Sequence, residues 1–260
     1  MISKLTAILG GAVLLGSAYS AQAVEIAGNV TIASDYSFRG VSQTDRDPAI
    51  QGGFDVAFES GFYLGTWASN ISEYDDCVID VESESVGCTS GFADTNMEWD
   101  LYGGYAGQIN EGVGYDLRFI RYEYPGNGDT YDYNEYHAML KWNGFVFGIG
   151  YSDEIYALED VDWWYPNVEY ALSLPAESTL NFKVGYSMVD DNESGAWEGG
   201  FGDEEVLDWS VIYKIPVAGV TLGLGVVGTD IDDDDCFGYG TGEGTKLCET
   251  RAIVSVSKSM

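Results

Sequence analysis

The sequence predicts an all-β protein, a transmembrane antiparallel up-and-down β-barrel of about 12 strands. Three observations support this fold class. Apolar and polar residues alternate with a period of two along most of the chain. The segments that alternate have roughly the 9–11 residues of a tilted membrane strand. Their connections switch regularly between short turns and long loops, as they do in a barrel with an even number of strands.

The stretch "AIQGGFDVAFESGFYLGTWASN", residues 49–70, shows the alternation most clearly. Ile50, Phe54 and Phe58 share one face of the predicted strand, and Asp55 lies on the other. Helical spacing does not fit this pattern, and a strand buried on both faces would not carry so many polar residues. We therefore expect a hairpin whose apolar face contacts lipid and whose other face lines a lumen. The same pattern returns at 96–108, 134–142, 164–174 and 180–188.

The alternation and the turn residues between segments define the strands. A secreted β-sandwich or propeller is the alternative, but it gives no reason for short and long connections to alternate. Its outer face would also be polar, whereas the apolar face here is rich in aromatic residues. The predicted strands are 29–41, 49–58, 62–71, 96–108, 113–124, 133–142, 145–153, 164–174, 179–189, 205–215, 219–230 and 248–258. The predicted short connections are 59–61, 110–112, 143–144, 175–177 and 216–219, and the long ones are 42–48, 72–95, 125–132, 154–163, 190–204 and 231–247.

Residues 1–23 have the pattern of a secretory signal peptide. Lys4 precedes an apolar run from Leu5 to Leu15, and "AQA" follows before Val24. A membrane-anchor helix is the alternative, but this run is shorter than the roughly 18 apolar residues that spanning requires. The sequence therefore predicts a signal peptide over 1–23 and one exported barrel domain over 24–260.

The chain is strongly acidic, with 43 Asp and Glu residues against 11 Lys and Arg and a net charge of −32. Such an excess argues against nucleic acid as a partner. High charge often indicates disorder, but an aromatic content of 14% excludes it for the chain as a whole.

The four cysteines of this exported chain indicate disulfide bonds. They form two local pairs, and we predict the bonds Cys77–Cys88 and Cys236–Cys248. A zinc site is the alternative, but neither pair has the usual two-residue spacing and the only histidine, His137, is far away in the sequence.

Charged residues on the predicted inner face are candidates for the lining of a pore. Arg or Lys on the lipid face costs about 2–4 kcal/mol at mid-depth, so an inner position is expected. These side chains could line a water-filled channel or form a structural network that fills the lumen. Inward glycines at 104, 148, 150, 223 and 225 favour a narrow channel, although glycine can also serve wall curvature. The predicted pore-lining residues are Asp35, Arg39, Asp55, Glu98, Asp100, Asp116, Arg118, Glu135, His137, Lys141, Glu169, Lys183, Asp208, Lys214 and Arg251.

The long connections hold the remaining acidic surplus. Asp232, Asp233, Asp234 and Asp235 form a candidate loop for loosely bound divalent cations, but no segment matches the EF-hand pattern. We expect no other cofactor. Catalysis by His137 is disfavoured because no serine motif such as G-x-S-x-G is present, so the protein is not expected to be an enzyme.

The segment "NVTIASDYSFRGVSQTDRDPAIQGGFDVAFESGFYLGTWASNIS", residues 29–72, resembles the opening of the TorF family of proteobacterial porins. The similarity is most specific over "SDYSFRGVSQTD" and "PAIQGGFD", and the later strand layout is compatible with it. This resemblance implies an outer-membrane barrel with a pore role and supplies no catalytic residues. One departure is the last residue, Met260, where bacterial barrels usually have an aromatic. Recognition by the assembly machinery is expected to be weaker for this reason.

The resulting functional hypothesis is a porin in the outer membrane of a Gram-negative bacterium. It would let small polar or cationic solutes diffuse through a narrow charged lumen, and it would contact outer-membrane lipid and lipopolysaccharide. The oligomeric state stays open. A non-conducting surface barrel, an adhesin or receptor that works through its acidic loops, is the alternative, and a barrel hydrolase is less favoured.

Overall fold

The structure, a computed structural model, describes residues 24–72, 75–80, 85–90, 95–126, 131–155, 158–191, 205–231, 236 and 246–260. The predicted signal peptide 1–23 and the acidic run Asp232–Asp235 lie outside these ranges. Among the described residues, no helix has the length and apolar character needed to span a bilayer.

Twelve long antiparallel strands form one closed barrel, which confirms the predicted fold class. Each strand pairs with its neighbours in the sequence, and β16 pairs with β1 to close the wall. Two short hairpins, β2–β3 and β6–β7, stand apart from the wall. The strands are β1 (Val24–Ala33), β2 (Ser37–Phe38), β3 (Val41–Ser42), β4 (Ala49–Phe58), β5 (Phe62–Asn70), β6 (Asp75–Asp80), β7 (Ser85–Ser90), β8 (Met97–Asn110), β9 (Val113–Glu123), β10 (Tyr133–Trp142), β11 (Phe145–Ile155), β12 (Leu158–Ser173), β13 (Thr179–Asp191), β14 (Glu205–Val217), β15 (Val220–Thr229) and β16 (Arg251–Ser259).

The two ends of the barrel differ in their connections. One end, which we call the turn end, carries the short turns and also the start of β1 and the end of β16. At two of these turns, Asn143–Gly144 and Ala218–Gly219, both residues have positive φ. Positive φ at both positions is the geometry of the tight turns that match strand twist in hairpins. The opposite end, which we call the loop end, carries the longer connections, apart from the two residues between β11 and β12.

Large apolar side chains cover the outer face of the wall. Ile26 is 72% exposed, Phe54 is 63% exposed and Leu224 is 60% exposed, although none would be expected at the surface of a water-soluble barrel. Aromatic rings gather at the turn end, where the Phe62 and Tyr105 ring centroids are 4.8 Å apart. An exposed apolar band edged by aromatic residues is typical of a barrel surrounded by lipid.

The first predicted strand, 29–41, is wrong at both ends. Strand β1 begins at Val24 and ends at Ala33. Residues 34–48, which we call the inner segment, then turn away from the wall and carry the small β2–β3 hairpin. The turn is made at Arg39 and Gly40, which have φ values of 47° and 86°.

The predicted long loop 154–163 is also wrong. Strands β11 and β12 continue to Ile155 and Leu158, past the irregularity in register between Ser152 and Glu154. A further hairpin, β6–β7, occupies part of the predicted loop 72–95. These extensions are polar and acidic, so their alternation does not resemble that of a lipid-facing strand.

Substitution of Leu117 by arginine tests whether the outer face contacts lipid. Leu117 lies in the middle of β9 and is 54% exposed. We expect Leu117→Arg to lower the free energy of unfolding in lipid vesicles by about 2–4 kcal/mol, because a mid-depth charge must leave water. The matched control is Val217→Arg at the turn end of β14, for which a loss of about 0–1 kcal/mol is expected. Equal, small effects in denaturant titrations of the two variants would contradict a lipid-facing wall.

Candidate functional site: the barrel lumen

The inner segment crosses the lumen and is held by residues from several strands. Asp35 accepts hydrogen bonds from the Ser42 hydroxyl at 2.5 Å and the Thr44 hydroxyl at 2.9 Å, and it forms an ion pair with Arg251 of β16. The Arg251 guanidinium also donates to the carbonyl oxygens of Gly40 at 2.7 Å and Leu247 at 3.1 Å. Contacts with both the first and the last parts of the barrel fix the segment at the loop end.

Tyr36 fastens the inner segment to β8. Its hydroxyl donates to Glu98 at 2.6 Å, and the second carboxylate oxygen of Glu98 accepts from the Tyr124 hydroxyl at 3.0 Å. The Tyr36 ring also packs edge-on against Trp67 of β5, with 5.4 Å between ring centroids. The segment is therefore tied to β8 and β5 as well as to Arg251 of β16.

Arg39 joins the inner segment to β10 and β12. Its guanidinium forms an ion pair with Glu135 of β10 and lies 3.8 Å from the centroid of the Trp163 ring and 3.9 Å from that of Tyr165. The side chains of Arg39 and Glu135 are 7% and 0% exposed. Burial is the largest single effect and opposes the charged form of Arg39, but Glu135 and the surrounding tyrosines together outweigh it and raise the pKa of Arg39 above its ordinary value. The guanidinium therefore stays charged.

A second charged cluster lies on β9 and β10, nearer the turn end. Asp116 accepts a hydrogen bond from the Tyr63 hydroxyl at 2.5 Å and forms ion pairs with Arg118 at 3.3 Å and Lys141 at 3.0 Å. The Asp116 side chain is fully buried, while the Lys141 side chain is 27% exposed. On β4, Asp55 accepts from the Tyr102 hydroxyl at 2.5 Å.

Strands β12, β13 and β14 carry the remaining inner charges. Glu169 of β12 and Lys183 of β13 are direct cross-strand partners. The Lys183 ammonium lies 5.2 Å from the Tyr165 ring centroid, and the Tyr165 hydroxyl donates to Asp208 at 2.8 Å. Within the described residues, Lys214 makes no ion pair shorter than 4.0 Å. This half of the lumen thus carries both signs of charge and is less densely bonded than the loop end.

Inward glycines provide room for side chains of neighbouring strands. A Cβ atom at Gly104 would meet the Tyr63 hydroxyl, and one at Gly185 would meet the Tyr165 hydroxyl. At Gly148, a Cβ would lie 2.7 Å from the Asn167 side-chain oxygen. Pairing of glycine with an aromatic on the next strand is a known device for shaping a curved wall. These glycines therefore accommodate the network, rather than leaving the open space that the sequence suggested.

The disulfide between Cys236 and Cys248 is present, as predicted, with Cα atoms 6.0 Å apart. Both cysteines are 1% exposed and belong to the buried apolar cluster that also contains Leu247. Since the Ser42 amide donates to the Leu247 carbonyl at 3.0 Å, the disulfide-linked segment packs directly on the inner segment.

Cys77 and Cys88 are register partners in the β6–β7 hairpin. Directly opposed residues of antiparallel strands have the Cα separation that a disulfide needs. Their side chains lie outside the described part of the structure, so this bond stays a prediction.

His137 does not form a catalytic arrangement with a nucleophile in the described structure. Its Nε2 atom lies 2.8 Å from Glu135, which is already paired with Arg39. No serine, threonine or cysteine side chain of the described ranges is hydrogen-bonded to it. The same ranges contain no group of three His, Cys, Asp or Glu residues arranged to hold a metal ion. Cation binding by Asp232–Asp235 stays a prediction because these residues lie outside the described ranges.

The structure brings the predicted pore-lining residues together inside the barrel, but it divides their roles. Asp35 and Arg39 lie on the inner segment instead of a wall strand. The sequence pattern did not single out the inward tyrosines 36, 63, 102 and 165, which donate to Glu98, Asp116, Asp55 and Asp208. A signal was available for Tyr102, because it alternates in register with Asp100 and Gly104 on the polar face.

Comparison with solved structures finds matches of very low sequence identity. The KdgM porin matches with a TM-score of 0.49 and 9% identity over 90% of this chain and 98% of that one. The NanC porin matches with a TM-score of 0.48 and 9% identity over the same shares. The channel DcaP of Acinetobacter baumannii matches with a TM-score of 0.42 and 11% identity over 91% of this chain and 97% of that one.

Comparison with curated proteins gives no match. The sequence does match a family model, described as a bacterial protein of unknown function, over residues 17–260. This match covers the entire barrel and both predicted disulfide pairs. The chain therefore belongs to the Gcw_chp family.

Proposed function

We propose that the protein is an outer-membrane porin that lets small polar or cationic solutes diffuse through a narrow, charged lumen. The observation that carries the proposal is the separation of side chains across the wall. Large apolar residues are exposed outside, while seven buried carboxylates and several bases lie inside. Lipid outside and a polar path inside are the conditions under which this arrangement is stable.

The constriction by the inner segment sets the expected size of the solutes. Arg39, Glu135 and Trp163 lie close together, so only small solutes would pass the loop end. A barrel of about 12 strands lies between those that side chains fill and those that leave a wide channel. The proposed pore is accordingly narrow, and we propose no enzymatic activity for it.

The acidic loops support a preference for cations. The runs "SEYDDCVIDVESES", "DDNESGAWEGGFGDEE" and "DIDDDDC" all connect strands at the loop end. A negative mouth concentrates cations and repels anions before they reach the constriction. The same loops are candidates for loosely bound divalent cations at Asp232–Asp235.

The outer-membrane location is part of the proposal. It is supported by the exposed apolar band and by the resemblance of residues 29–72 to the TorF family. The surrounding molecules would then be outer-membrane lipid and lipopolysaccharide, with the turn end facing the periplasm.

Planar-bilayer recording tests the pore and its selectivity together. We expect the refolded protein to conduct, and its reversal potential across a KCl gradient to show a preference for cations. Joint replacement of Asp232, Asp233, Asp234 and Asp235 by asparagine should reduce this preference. Raising the salt to 1 M should also weaken it, because charges are then screened over about 3 Å. Anion preference, or no conductance, would contradict the proposal.

A non-conducting surface receptor is the second candidate. The dense packing of the inner segment favours it, since Ser42, Thr44 and Glu135 are 0% exposed. A barrel closed in this way would act through its acidic loops. Absence of conductance in a correctly folded protein would support this function.

A further inference from the structure

We propose that Glu98 and Asp100 bind a weakly hydrated monovalent cation of the K⁺ class inside the lumen, between the rings of Trp67 and Tyr122. The role of this site in permeation rests on the proposed function. The site would give a permeating cation a defined position inside the lumen. The evidence for the site is that one buried carboxylate, unlike the others, has no partner among the described residues.

Six of the seven buried carboxylates have a partner within hydrogen-bond or ion-pair distance. Asp35, Glu135 and Asp116 are paired with arginines. Asp55, Asp208 and Glu98 accept hydrogen bonds from tyrosine hydroxyls. Asp100 is 9% exposed and makes neither kind of contact among the described residues, and its Oδ1 atom is fully buried without a donor.

An unpartnered buried carboxylate is costly, so a positive group is expected beside it. The inner guanidiniums already form ion pairs, Arg39 with Glu135, Arg118 with Asp116 and Arg251 with Asp35, although one nitrogen of Arg39 and one of Arg251 are buried without an acceptor. Glu98 lies two residues from Asp100 on the same face and is neutralised by no base of the described structure. No positively charged side chain of the described protein therefore pairs with either carboxylate.

The geometry suits one cation shared by the pair. Residues two apart on a strand face the same side with Cα atoms about 6.6 Å apart, a gap that a cation with oxygen ligands can bridge. Asp100 is the direct cross-strand partner of Trp67 on β5 and of Tyr122 on β9. Aromatic faces attract cations, so the two rings add to the attraction of the carboxylates.

The chemistry favours a monovalent cation over a divalent one. Calcium takes six to eight oxygen ligands and magnesium requires a near-octahedral shell. Here Glu98 already accepts two phenol hydrogen bonds, at 2.6 Å and 3.0 Å, and only Asp100 is wholly free to coordinate. Partial dehydration beside two aromatic rings is least costly for a large, weakly hydrated ion.

Unfolding of the refolded protein in KCl and in N-methyl-D-glucamine chloride of equal ionic strength tests the site. With K⁺ at about ten times its Kd, the folding equilibrium constant should rise about elevenfold, because the ion binds only the folded state. Asp100→Asn should abolish this dependence. The matched control is Asp55→Asn. Asp55 is also a buried inner acid, and an asparagine oxygen can still accept the hydrogen bond from Tyr102, so this variant should keep the K⁺-dependent stability.

Anomalous scattering from Rb⁺ in crystals of the wild-type protein gives a readout that needs no variant. A peak between Glu98 and Asp100 is expected. Equal stability in the two salts together with no Rb⁺ peak would overturn the site and would mean that the pair holds a proton instead. The two proposals can fail separately. Conductance without K⁺-dependent stability would contradict only the cation site, and K⁺-dependent stability without conductance would contradict only the pore.

Discussion

Replacement of Arg39 by methionine is expected to release the inner segment and to raise the single-channel conductance severalfold. The guanidinium joins the inner segment to two wall strands, since it pairs with Glu135 of β10 and lies against the Trp163 and Tyr165 rings of β12. Methionine fills a similar volume but cannot pair with the carboxylate. Without this ion pair, the gap between the inner segment and strands β10 and β12 should widen.

The same substitution should lower the free energy of unfolding by about 3–5 kcal/mol, because it leaves a buried carboxylate without its main partner. The control is Arg46→Met on the same segment. Arg46 pairs with Glu249 at 2.6 Å, but both side chains are about one-third exposed. A loss of about 0–1 kcal/mol and an unchanged conductance are expected there.

A double variant separates the effect of charge from that of lost packing. Adding Glu135→Gln to Arg39→Met removes the unpaired charge, so part of the lost stability should return while the conductance stays high. Bilayer recordings and denaturant titrations of both variants make the comparison. Wild-type conductance in Arg39→Met would mean that the inner segment does not limit the pore.

The wall of the barrel could be predicted from sequence because lipid imposes a simple rule on it. Strands β4, β10 and β13 begin within one residue of the predicted positions. In each of them an outward residue must be apolar, so a period of two is visible without any knowledge of the partner strand. Turn residues such as Asn143 and Gly144 then mark where each hairpin reverses.

The inner segment could not be predicted in this way because both of its faces contact protein. "SDYSFRG" alternates between polar and aromatic residues, as a wall strand does. The aromatic residues Tyr36 and Phe38 pack inside the lumen instead of facing lipid: Phe38 lies 6.1 Å from Tyr122 and 6.3 Å from Trp163, measured between ring centroids. Local pattern identifies an apolar surface but does not say whether lipid or protein covers it.

The ion pairs between inner residues could not be predicted from the sequence, for a related reason. Alternation placed Asp116 and Lys141 on the inner face, but their 3.0 Å contact depends on the relative register of β9 and β10. The contact of Asp35 with Arg251 joins residues 216 positions apart. Such pairs follow from closure of the barrel, which no local window contains.

Closure of the barrel should depend strongly on Arg251. The register between β1 and β16 includes five residue pairs, whereas that between β1 and β4 includes ten. At the loop end of this short seam, Arg251 pairs with Asp35 and donates to the Gly40 and Leu247 carbonyls. One side chain therefore joins the chain segment after β1 to that before β16.

We expect Arg251→Met to lower the free energy of unfolding by about 3–5 kcal/mol, because Asp35 loses its ion pair while it stays buried. Amide hydrogen exchange should quicken most in β1 and β16, since the seam is the part of the wall that loses support. Lys258→Met on the same strand is the matched control: its ammonium is exposed and, among the described residues, donates to the Gly219 carbonyl alone, at 2.6 Å. A change below about 1 kcal/mol is expected for it. Equal exchange in every strand of Arg251→Met would indicate that the hydrogen-bonded wall closes the barrel without this side chain.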